Sequence, residues 1–527
     1  MANREELLVI RAARSGQASA QLALGKRYLF GGAGLPKSET TALYWLDRAA
    51  QQEEDEAWLL IGSHIPFEAA CRSQQPAQLC VWYERAFDSG ILQAGLVLAK
   101  LVLAQTENCT SAALRRKAWM ALEAVAHAGI GEAQWLMAQL IGQSNACELR
   151  GELASGEAGH AFLSPILKLP SSGRAEQAVL DWTIRAADGG VTRAQLALAE
   201  HAWDAGNQEG FLQWGLPLAR QAVARRNTRA PTNLVDDTEA AQNDDICLLA
   251  RCAQTLLDRG DFDSAELESF LDAAAHGGDH ASCLSLGLWY ARMDRGGARM
   301  AGVRGLANYR KALRWLTFAG EQGLAAAWYA TSRIYLKPEF SQRNLSDAQY
   351  YVQKAAEGGH AEAQLELGMA AWRARRNDPL NDIEAAYWLR KAAAQNHPDA
   401  IRSLQKIVDP PVPAVWASEL REQLTRDQCN AFPLLVARLD LSIEFGLSRA
   451  EGLLLNLNTA DSGHCLVIDI RDVHPRSKRR LVLVHTNEQR HLLNRIVRQF
   501  EDIDCSVQGP EGNYRQRLYR LRMLMKE

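Results

Sequence analysis

The segment "HGGDHASC" (276–283) contains residue types that could bind a metal ion. His276, His280 and Cys283 are side chains that zinc uses as ligands, and Asp279 lies beside them. Two other parts of the chain read "EGGHAEAQ" and "DGGVTRAQ" at the equivalent position. A glycine turn shared by all three segments explains the spacing without a metal, so we expect neither a metal nor a cofactor.

Two basic clusters near the C-terminus could contact an anionic partner. The first consists of His474, Arg476, Lys478, Arg479 and Arg480. The second consists of Arg515, Arg517, Arg520 and Arg522, accompanied by Tyr514 and Tyr519. Basic and aromatic side chains together suit phosphate contact and base stacking. They suit an acidic protein surface equally well, and ordinary solvated charge is a third interpretation.

Common catalytic signatures are absent from the sequence. It contains no phosphate-binding G-x-x-x-x-G-K-[ST], no G-x-G-x-x-G after a strand, no H-E-x-x-H and no G-x-S-x-G. We therefore expect a protein that is not an enzyme and has no catalytic residue. An enzyme whose site lacks a local motif is the remaining alternative.

A repeated pattern extends over most of the chain. "ALYWLDRAAQQ" (42–52) returns as "AAYWLRKAAAQ" (385–395), and the clearest intervals between copies are 36–39 residues. We call the position of Trp45 in each copy the slot. Glycine or asparagine is common eight residues after the slot, alanine twelve after it and a small residue seventeen after it. The slots are Trp45, Trp82, Ala121, Trp182, Trp214, Phe270, Trp315, Tyr351 and Trp388.

This spacing predicts pairs of helices joined by a glycine turn. A single hairpin cannot bury its own apolar face, but stacked hairpins share a continuous core. We expect the slot aromatics Trp45, Trp82, Trp182, Trp315, Tyr351 and Trp388 to pack between helices rather than to form a ligand cage. The sequence thus predicts a mostly α fold, an α-solenoid of about nine helical hairpins.

The pattern "AxYWLxxAAxxGxxxAxxxLG" resembles the Sel-like repeat family, a branch of the tetratricopeptide-like α-solenoids. Its best copies are "AQYYVQKAAEGGHAEAQLELG" (348–368) and "AVLDWTIRAADGGVTRAQLALA" (178–199), and the resemblance covers roughly residues 10–408. It implies a right-handed solenoid that acts as a scaffold and presents a concave surface to partner proteins. Three insertions interrupt the pattern: 142–175, 224–245 and the arginine-rich 292–304. We expect 224–245 to be a flexible loop. Residues 292–304 are expected to form a long loop, either solvated or docked on an acidic partner surface.

The pattern stops after Ala400, and a different region follows. We expect a solenoid over residues 1–408, a proline-containing linker over 409–429 and a small α+β domain over 430–527. "CLVIDIRDV" (465–473) and "RRLVLVHT" (479–486) predict a β-hairpin with a basic tip. S-x-x-E at 448–451 and T-x-x-Q at 486–489 predict two helix starts. Residues 429–527 hold 15 Lys and Arg against 12 Asp and Glu, so this region is basic, and it matches no family that we recognise.

Composition excludes several classes of protein. The 527 residues carry a net charge of −3, and no apolar stretch reaches the roughly 18–20 residues that a membrane span needs. The N-terminal apolar run is too short for a signal peptide, so a cytoplasmic location is expected. Our leading hypothesis is an adaptor that binds a partner protein through the solenoid, with the basic region as a second contact. The alternative is a nucleic-acid-associated regulator.

Overall fold

The computed structural model describes residues 4–31, 35–73, 75–105, 111–150, 174–228, 239–260, 262–300, 305–410 and 412–524. The chain forms two compact units, Met1–Phe262 and Asp263–Glu527. No helix in these described ranges is long and apolar enough to cross a membrane.

The secondary-structure elements described in the first unit are helices joined by short turns. Its helices are α1 (Arg4–Arg14), α2 (Ala18–Phe30), α3 (Glu39–Ala50), α4 (Asp55–His64), α5 (Phe67–Cys71), α6 (Pro76–Asp88), α7 (Leu92–Leu103), α8 (Ala112–His127), α9 (Gly131–Arg150), α10 (Arg174–Asp188), α11 (Thr192–Asp204), α12 (Gln208–Thr228) and α13 (Glu239–Arg259). α9 and α12 extend into two of the predicted insertions, whose residues 151–173 and 229–238 lie outside the described ranges.

The second unit combines further hairpins with a small sheet. Its helices are α14 (Ser264–His276), α15 (His280–Ala291), α16 (Tyr309–Glu321), α17 (Ala325–Leu336), α18 (Leu345–Glu357), α19 (Ala361–Ala374), α20 (Asn381–Ala394), α21 (Pro398–Ile407), α22 (Val415–Gln423), α23 (Arg426–Ala431), α24 (Pro433–Phe445), α25 (Arg449–Leu454), α26 (Leu457–Ala460), α27 (Asn487–Phe500) and α28 (Tyr514–Leu524). Strands β1 (Cys465–Ile468) and β2 (Arg480–Leu483) pair antiparallel, with Cys465 opposite Leu483.

Every predicted slot lies on a helix that is followed by a partner helix, which gives nine hairpins beginning with α3, α6, α8, α10, α12, α14, α16, α18 and α20. The predicted turn residues have the left-handed backbone that ends a helix: φ is 98° at Gly90, 96° at Gly359 and 61° at Asn396. The predicted fold, a mostly helical array of hairpins followed by a small α+β region, is confirmed.

Small residues allow the hairpins to approach closely. The alanines twelve residues after the slot, such as Ala57 and Ala363, are fully buried. A Cβ atom added at Gly287 would lie 2.6 Å from Leu316 Cγ, and one at Gly368 would lie 2.7 Å from Leu389 Cγ. Only glycine fits at these positions, because the leucine that follows the next slot occupies the space.

A glutamine side chain closes the turn in several hairpins. The Nε2 of Gln364 donates to the carbonyl of Ala356 at 3.0 Å, eight residues earlier. Gln134 and Gln195 make the same bond, each at 3.0 Å. The bond adds a second donor to a carbonyl at the end of the preceding helix, which already accepts from the amide of the turn glycine at 3.0–3.1 Å.

The region after α21 packs on the last hairpin of the repeats. Side chains of β1 and β2, including Val467 and Leu481, share one buried cluster with Leu389 of α20 and Ile407 of α21. The amide of Asp409 donates to the carbonyl of Leu481 at 3.2 Å. The segment expected to be a linker (409–429) therefore begins on the sheet and continues into α22 and α23, and the expected boundary at 408 lies inside the second compact unit.

Candidate partner-binding surfaces

The slot aromatics lie between neighbouring hairpins but differ in burial. Trp82 and Trp388 are buried, whereas Trp45, Trp182, Trp315 and Tyr351 are half-buried. The residue that follows each of these six slots is buried: Leu46, Tyr83, Thr183, Leu316, Val352 and Leu389. The side chain after the slot thus fills the core, and the slot aromatic covers its edge.

Successive slot helices lie side by side. Trp82 Nε1 on α6 donates to Asp47 Oδ1 on α3 at 2.7 Å. Lys117 Nζ on α8 lies 2.7 Å from Glu84 Oε1 and 2.6 Å from Asp88 Oδ2 on α6. The ring of His127 meets the edge of Trp182 on α10, with centroids 5.1 Å apart. Residues at one position of the repeat therefore form a row across neighbouring helices.

The residue before the slot forms an exposed apolar row in the first unit. Tyr44 on α3 is 53% exposed, Val81 on α6 is 44% exposed and Met120 on α8 is 62% exposed. Arg48 and Arg85 lie one turn after Tyr44 and Val81, and Arg116 lies one turn before Met120; all three are exposed. We call Tyr44, Arg48, Val81, Arg85, Arg116 and Met120 the Tyr44 stripe.

Two arginines of the Tyr44 stripe are held by aromatic rings. The guanidinium of Arg48 lies 5.4 Å from the centre of the Tyr44 ring, and its Nη1 donates to the tyrosine hydroxyl at 2.9 Å. Arg85 lies 5.2 Å from the Trp82 ring. The second unit repeats this pairing in Lys354 over Tyr350 and Lys391 over Tyr387. Such contacts restrict the cation while leaving it facing solvent.

The residues of "HGGDHASC" have structural partners. Cys283 is buried, and its Sγ contacts the Ala275 carbonyl at 3.7 Å, where other repeats use glutamine. Asp279 accepts a hydrogen bond from the amide of Ser282 and so caps α15. The rings of His276 and His280 meet Trp315 and Phe318 of the next slot helix. Burial raises the pKa of the Cys283 thiol to about 11, which opposes metal binding by thiolate.

Two arginines of the first basic cluster hold the hairpin in place. Arg479 donates to both oxygens of Asp382 on α20 at 2.8 and 2.9 Å, and Arg480 donates to both oxygens of Glu451 at 3.0 and 2.9 Å. Arg471 and Arg479 together hold the pKa of Asp469 at about 2. Arg476 and Lys478 at the hairpin tip are exposed.

The second basic cluster also contains both arginines that hydrogen-bond within the fold and arginines that are exposed. Arg517 is buried and donates to the carbonyls of Leu453 and Cys505, while Arg520 donates to that of Glu511. Arg515 and Arg522 are exposed on α28, with the 64% exposed Tyr519 between them in sequence. The rings of His474 and Tyr514 lie 6.3 Å apart, so the hairpin tip adjoins the start of α28. The exposed basic set is Arg476, Lys478, Arg515 and Arg522.

Sequence reasoning missed two features of these surfaces. Arg438 is 1% exposed and makes a two-bond ion pair with Glu511, at 2.8 and 2.6 Å, although 73 residues separate them. No local pattern marks such a pair. The Tyr44 stripe could have been found, because the residue two positions before a buried one should face outward. Just before the slot this residue is large and apolar or aromatic in five copies: Tyr44, Val81, Met120, Tyr350 and Tyr387.

The arginine-rich loop at 292–304 is partly built into the second unit. Met293 pairs with Arg299 in an isolated antiparallel bridge, and Lys337 Nζ of the following turn donates to the Gly297 carbonyl at 2.6 Å. Residues 301–304 lie outside the described ranges.

Comparison with known proteins gave a repeat-family match and structural neighbours. The Sel1 repeat model matches residues 18–53, 296–324, 323–360 and 361–397. A search among curated proteins found no match. A protective antigen of uropathogenic Escherichia coli with an SLR fold is 19% identical, with 95% of each chain covered and a TM-score of 0.41. A Sel1 repeat protein from Oxalobacter formigenes is 18% identical, with 77% of this chain and 90% of that chain covered and a TM-score of 0.30. The repeated helical hairpins, and the family match to one segment of the first unit and three segments of the second, show that the chain carries Sel1 repeats.

Proposed function

We propose that this protein is a non-catalytic scaffold that binds a partner protein through the exposed face of its slot helices. The observation that carries the proposal is the row formed by Tyr44, Val81 and Met120. Three large apolar side chains are exposed at one repeat position on neighbouring helices, although the residue two positions later is buried in each: Leu46, Tyr83 and Leu122. Contiguous exposed apolar side chains beside fixed cations are typical of protein-binding surfaces.

Site-specific photo-crosslinking tests this function. A photoreactive phenylalanine analogue is placed at Tyr44 or Met120 in the full chain, with the exposed Phe432 as the control position. We expect one protein to crosslink at both stripe positions and not at the control. That protein is then purified and titrated, and the triple variant Tyr44→Ser, Val81→Ser, Met120→Ser should lose its binding. An unchanged affinity of the triple variant would refute the proposed surface.

The exposed basic set supplies a second contact in this proposal. Four of the nine basic residues singled out in the sequence (Arg479, Arg480, Arg517 and Arg520) hydrogen-bond within the unit. His474 is half-buried beside Tyr514, which leaves Arg476, Lys478, Arg515 and Arg522 to face a partner. The exposed Tyr519 also favours the second candidate, nucleic acid, because bases stack on exposed rings between cations.

Titration of the full chain with single-stranded RNA and duplex DNA separates these candidates. Binding that weakens steeply between about 50 and 200 mM salt indicates phosphate contact. It should disappear when Arg476, Lys478, Arg515 and Arg522 are all replaced by alanine, and persist when the exposed arginines Arg193 and Arg376 are replaced. The absence of binding at low salt would leave the basic set as a protein contact.

A further inference from the structure

We infer that the Tyr44 stripe binds an acidic, extended segment of its partner, in which large apolar residues recur at about every third position. The inference rests on the proposed scaffold function and names the chemistry of the partner. It depends on three properties of the stripe: its charge, its fixed cations and its spacing.

The charge of the stripe is biased toward cations because neighbouring carboxylates are already engaged. Asp47 accepts hydrogen bonds from Trp82 Nε1 at 2.7 Å and from Gln51 Nε2 at 2.9 Å. Glu84 is 2.7 Å from Lys117 Nζ. Glu123, one turn after Met120, remains an exposed carboxylate. Three exposed arginines therefore lie beside two exposed carboxylates, Asp88 and Glu123, and Asp88 is engaged by Lys117 Nζ at 2.6 Å. This balance favours an acidic ligand.

The arginines Arg48 and Arg85 are oriented before a ligand arrives. Each guanidinium packs over an aromatic ring of its own helix, at 5.4 and 5.2 Å from the ring centre. A side chain that is already restricted loses less conformational entropy when it binds a carboxylate. Because a guanidinium offers paired donors, it matches a carboxylate better than an ammonium group does.

The spacing of the stripe sets the pattern of the ligand. Packed helices lie roughly 8–10 Å apart. An extended chain in the polyproline II conformation advances about 3.1 Å per residue and has three residues per turn, so every third side chain lies on the same face. One ligand residue in three therefore reaches the next apolar side chain, so Tyr44, Val81 and Met120 match anchors at positions i, i+3 and i+6. The intervening residues lie beside the arginines and should be Asp or Glu.

Fluorescence titration of the full chain with short peptides tests the inference. The probe is a labelled peptide that carries Phe or Leu at every third position and Asp or Glu elsewhere. Companion peptides replace the acids by Lys, or the apolar residues by Ser. The double variant Arg48→Glu, Arg85→Glu is compared with Arg193→Glu, Arg376→Glu, which reverses two exposed arginines that are not part of the stripe.

We expect the acidic peptide to bind best and the stripe variant to weaken its binding at least about tenfold. The control variant should change the affinity less than about twofold, and the Lys peptide should prefer the stripe variant to the native chain. Circular dichroism verifies that both variants keep the native fold.

Equal binding of the Lys peptide to the native chain, or an unchanged affinity of the stripe variant, overturns the inference. A dimer that is seen in sedimentation and abolished by the stripe variant also overturns the inference, because a second copy of the chain is then the occupant. An oligonucleotide that displaces the peptide overturns it as well, because the ligand is then a nucleic acid. The peptide test can fail while the triple serine variant of Tyr44, Val81 and Met120 still abolishes binding of the crosslinked partner. In that case the scaffold function stands, and only the acidic chemistry of the ligand is wrong.

Discussion

Polar contacts are organised differently in the repeats and in the region that follows them. In the repeats, glutamine side chains bond to a carbonyl eight residues earlier, and the bond recurs from hairpin to hairpin. After α21, arginines reach partners far away in sequence: Arg438 with Glu511 and Arg479 with Asp382. A repeat is specified by local spacing, whereas the C-terminal region depends on individual long-range ion pairs. A basic composition there is therefore not the same as a basic surface.

The substitution Glu511→Gln should cause the largest loss of folding stability in the C-terminal region. Glu511 pairs with the buried Arg438 and lies 3.5 Å from the buried Arg517, so its neutralisation leaves two guanidinium groups without their counter-ion. Loss of one partner from a buried ion pair costs about 3–5 kcal/mol. Urea unfolding, combined with hydrogen exchange in α24 and α28, measures the loss. The exposed Glu422→Gln is the control, and an equally small effect of both changes would contradict this account.

Two arginines of one basic cluster should behave in opposite ways. Arg479→Ala removes hydrogen bonds to Asp382 and to the Pro379 carbonyl, and charged hydrogen bonds contribute about 1.5–3 kcal/mol. Arg476→Ala alters an exposed side chain and should change stability by less than about 0.5 kcal/mol. Urea unfolding of both variants makes the comparison. Equal losses would mean that the hairpin is not held by the Arg479 contacts.

A glycine substitution tests the repeat side of the comparison. Gly287→Ala places a methyl group 2.6 Å from Leu316 Cγ, and overpacking of this kind costs about 1–3 kcal/mol. Gly215 in α12 is the matched control, because its nearest neighbour would lie at 3.4 Å. There the change to alanine should be neutral or stabilise the helix by about 0.5–1 kcal/mol. The change in Tm should therefore be negative for Gly287→Ala and zero or positive for Gly215→Ala. An unchanged Tm for Gly287→Ala would show that the hairpins can move apart to admit the methyl group.

The sequence predicts the local contacts of the repeats well and the long-range contacts of the C-terminal region poorly. The turns at Gly90 and Gly359, the buried alanines and the capping boxes at Ser448 and Thr486 form as expected, because each depends on residues within one or two turns. The placement of the hairpin on α20 could not be read, since its contacts join residues about a hundred apart. For the same reason, a count of arginines could not separate Arg517, which is buried, from Arg515, which is exposed.

Acid should weaken the packing of the hairpin on α20 by a smaller amount. His464 Nε2 donates to the Ile383 carbonyl at 3.0 Å. Burial lowers the pKa of His464 below its usual value, the hydrogen bond to Ile383 opposes this shift, and the nearby Arg390 adds to it. The unfolded chain therefore binds the proton first as the pH falls below about 6.5. Stability from this group is present above that pH and declines below it.

Urea unfolding at neutral and mildly acidic pH checks the sign of this effect. The variant His464→Gln should reduce the loss of stability on acidification, because the titrating ring is gone. His485→Gln, at an exposed histidine, should leave the loss unchanged. If His464→Gln keeps the full pH dependence, then another buried group is responsible, and His360, whose pKa is also lowered by burial, is the first to replace. His360 caps α19 within the repeats, so this outcome would move the acid-sensitive site from the long-range contacts of the hairpin to a local contact of the solenoid.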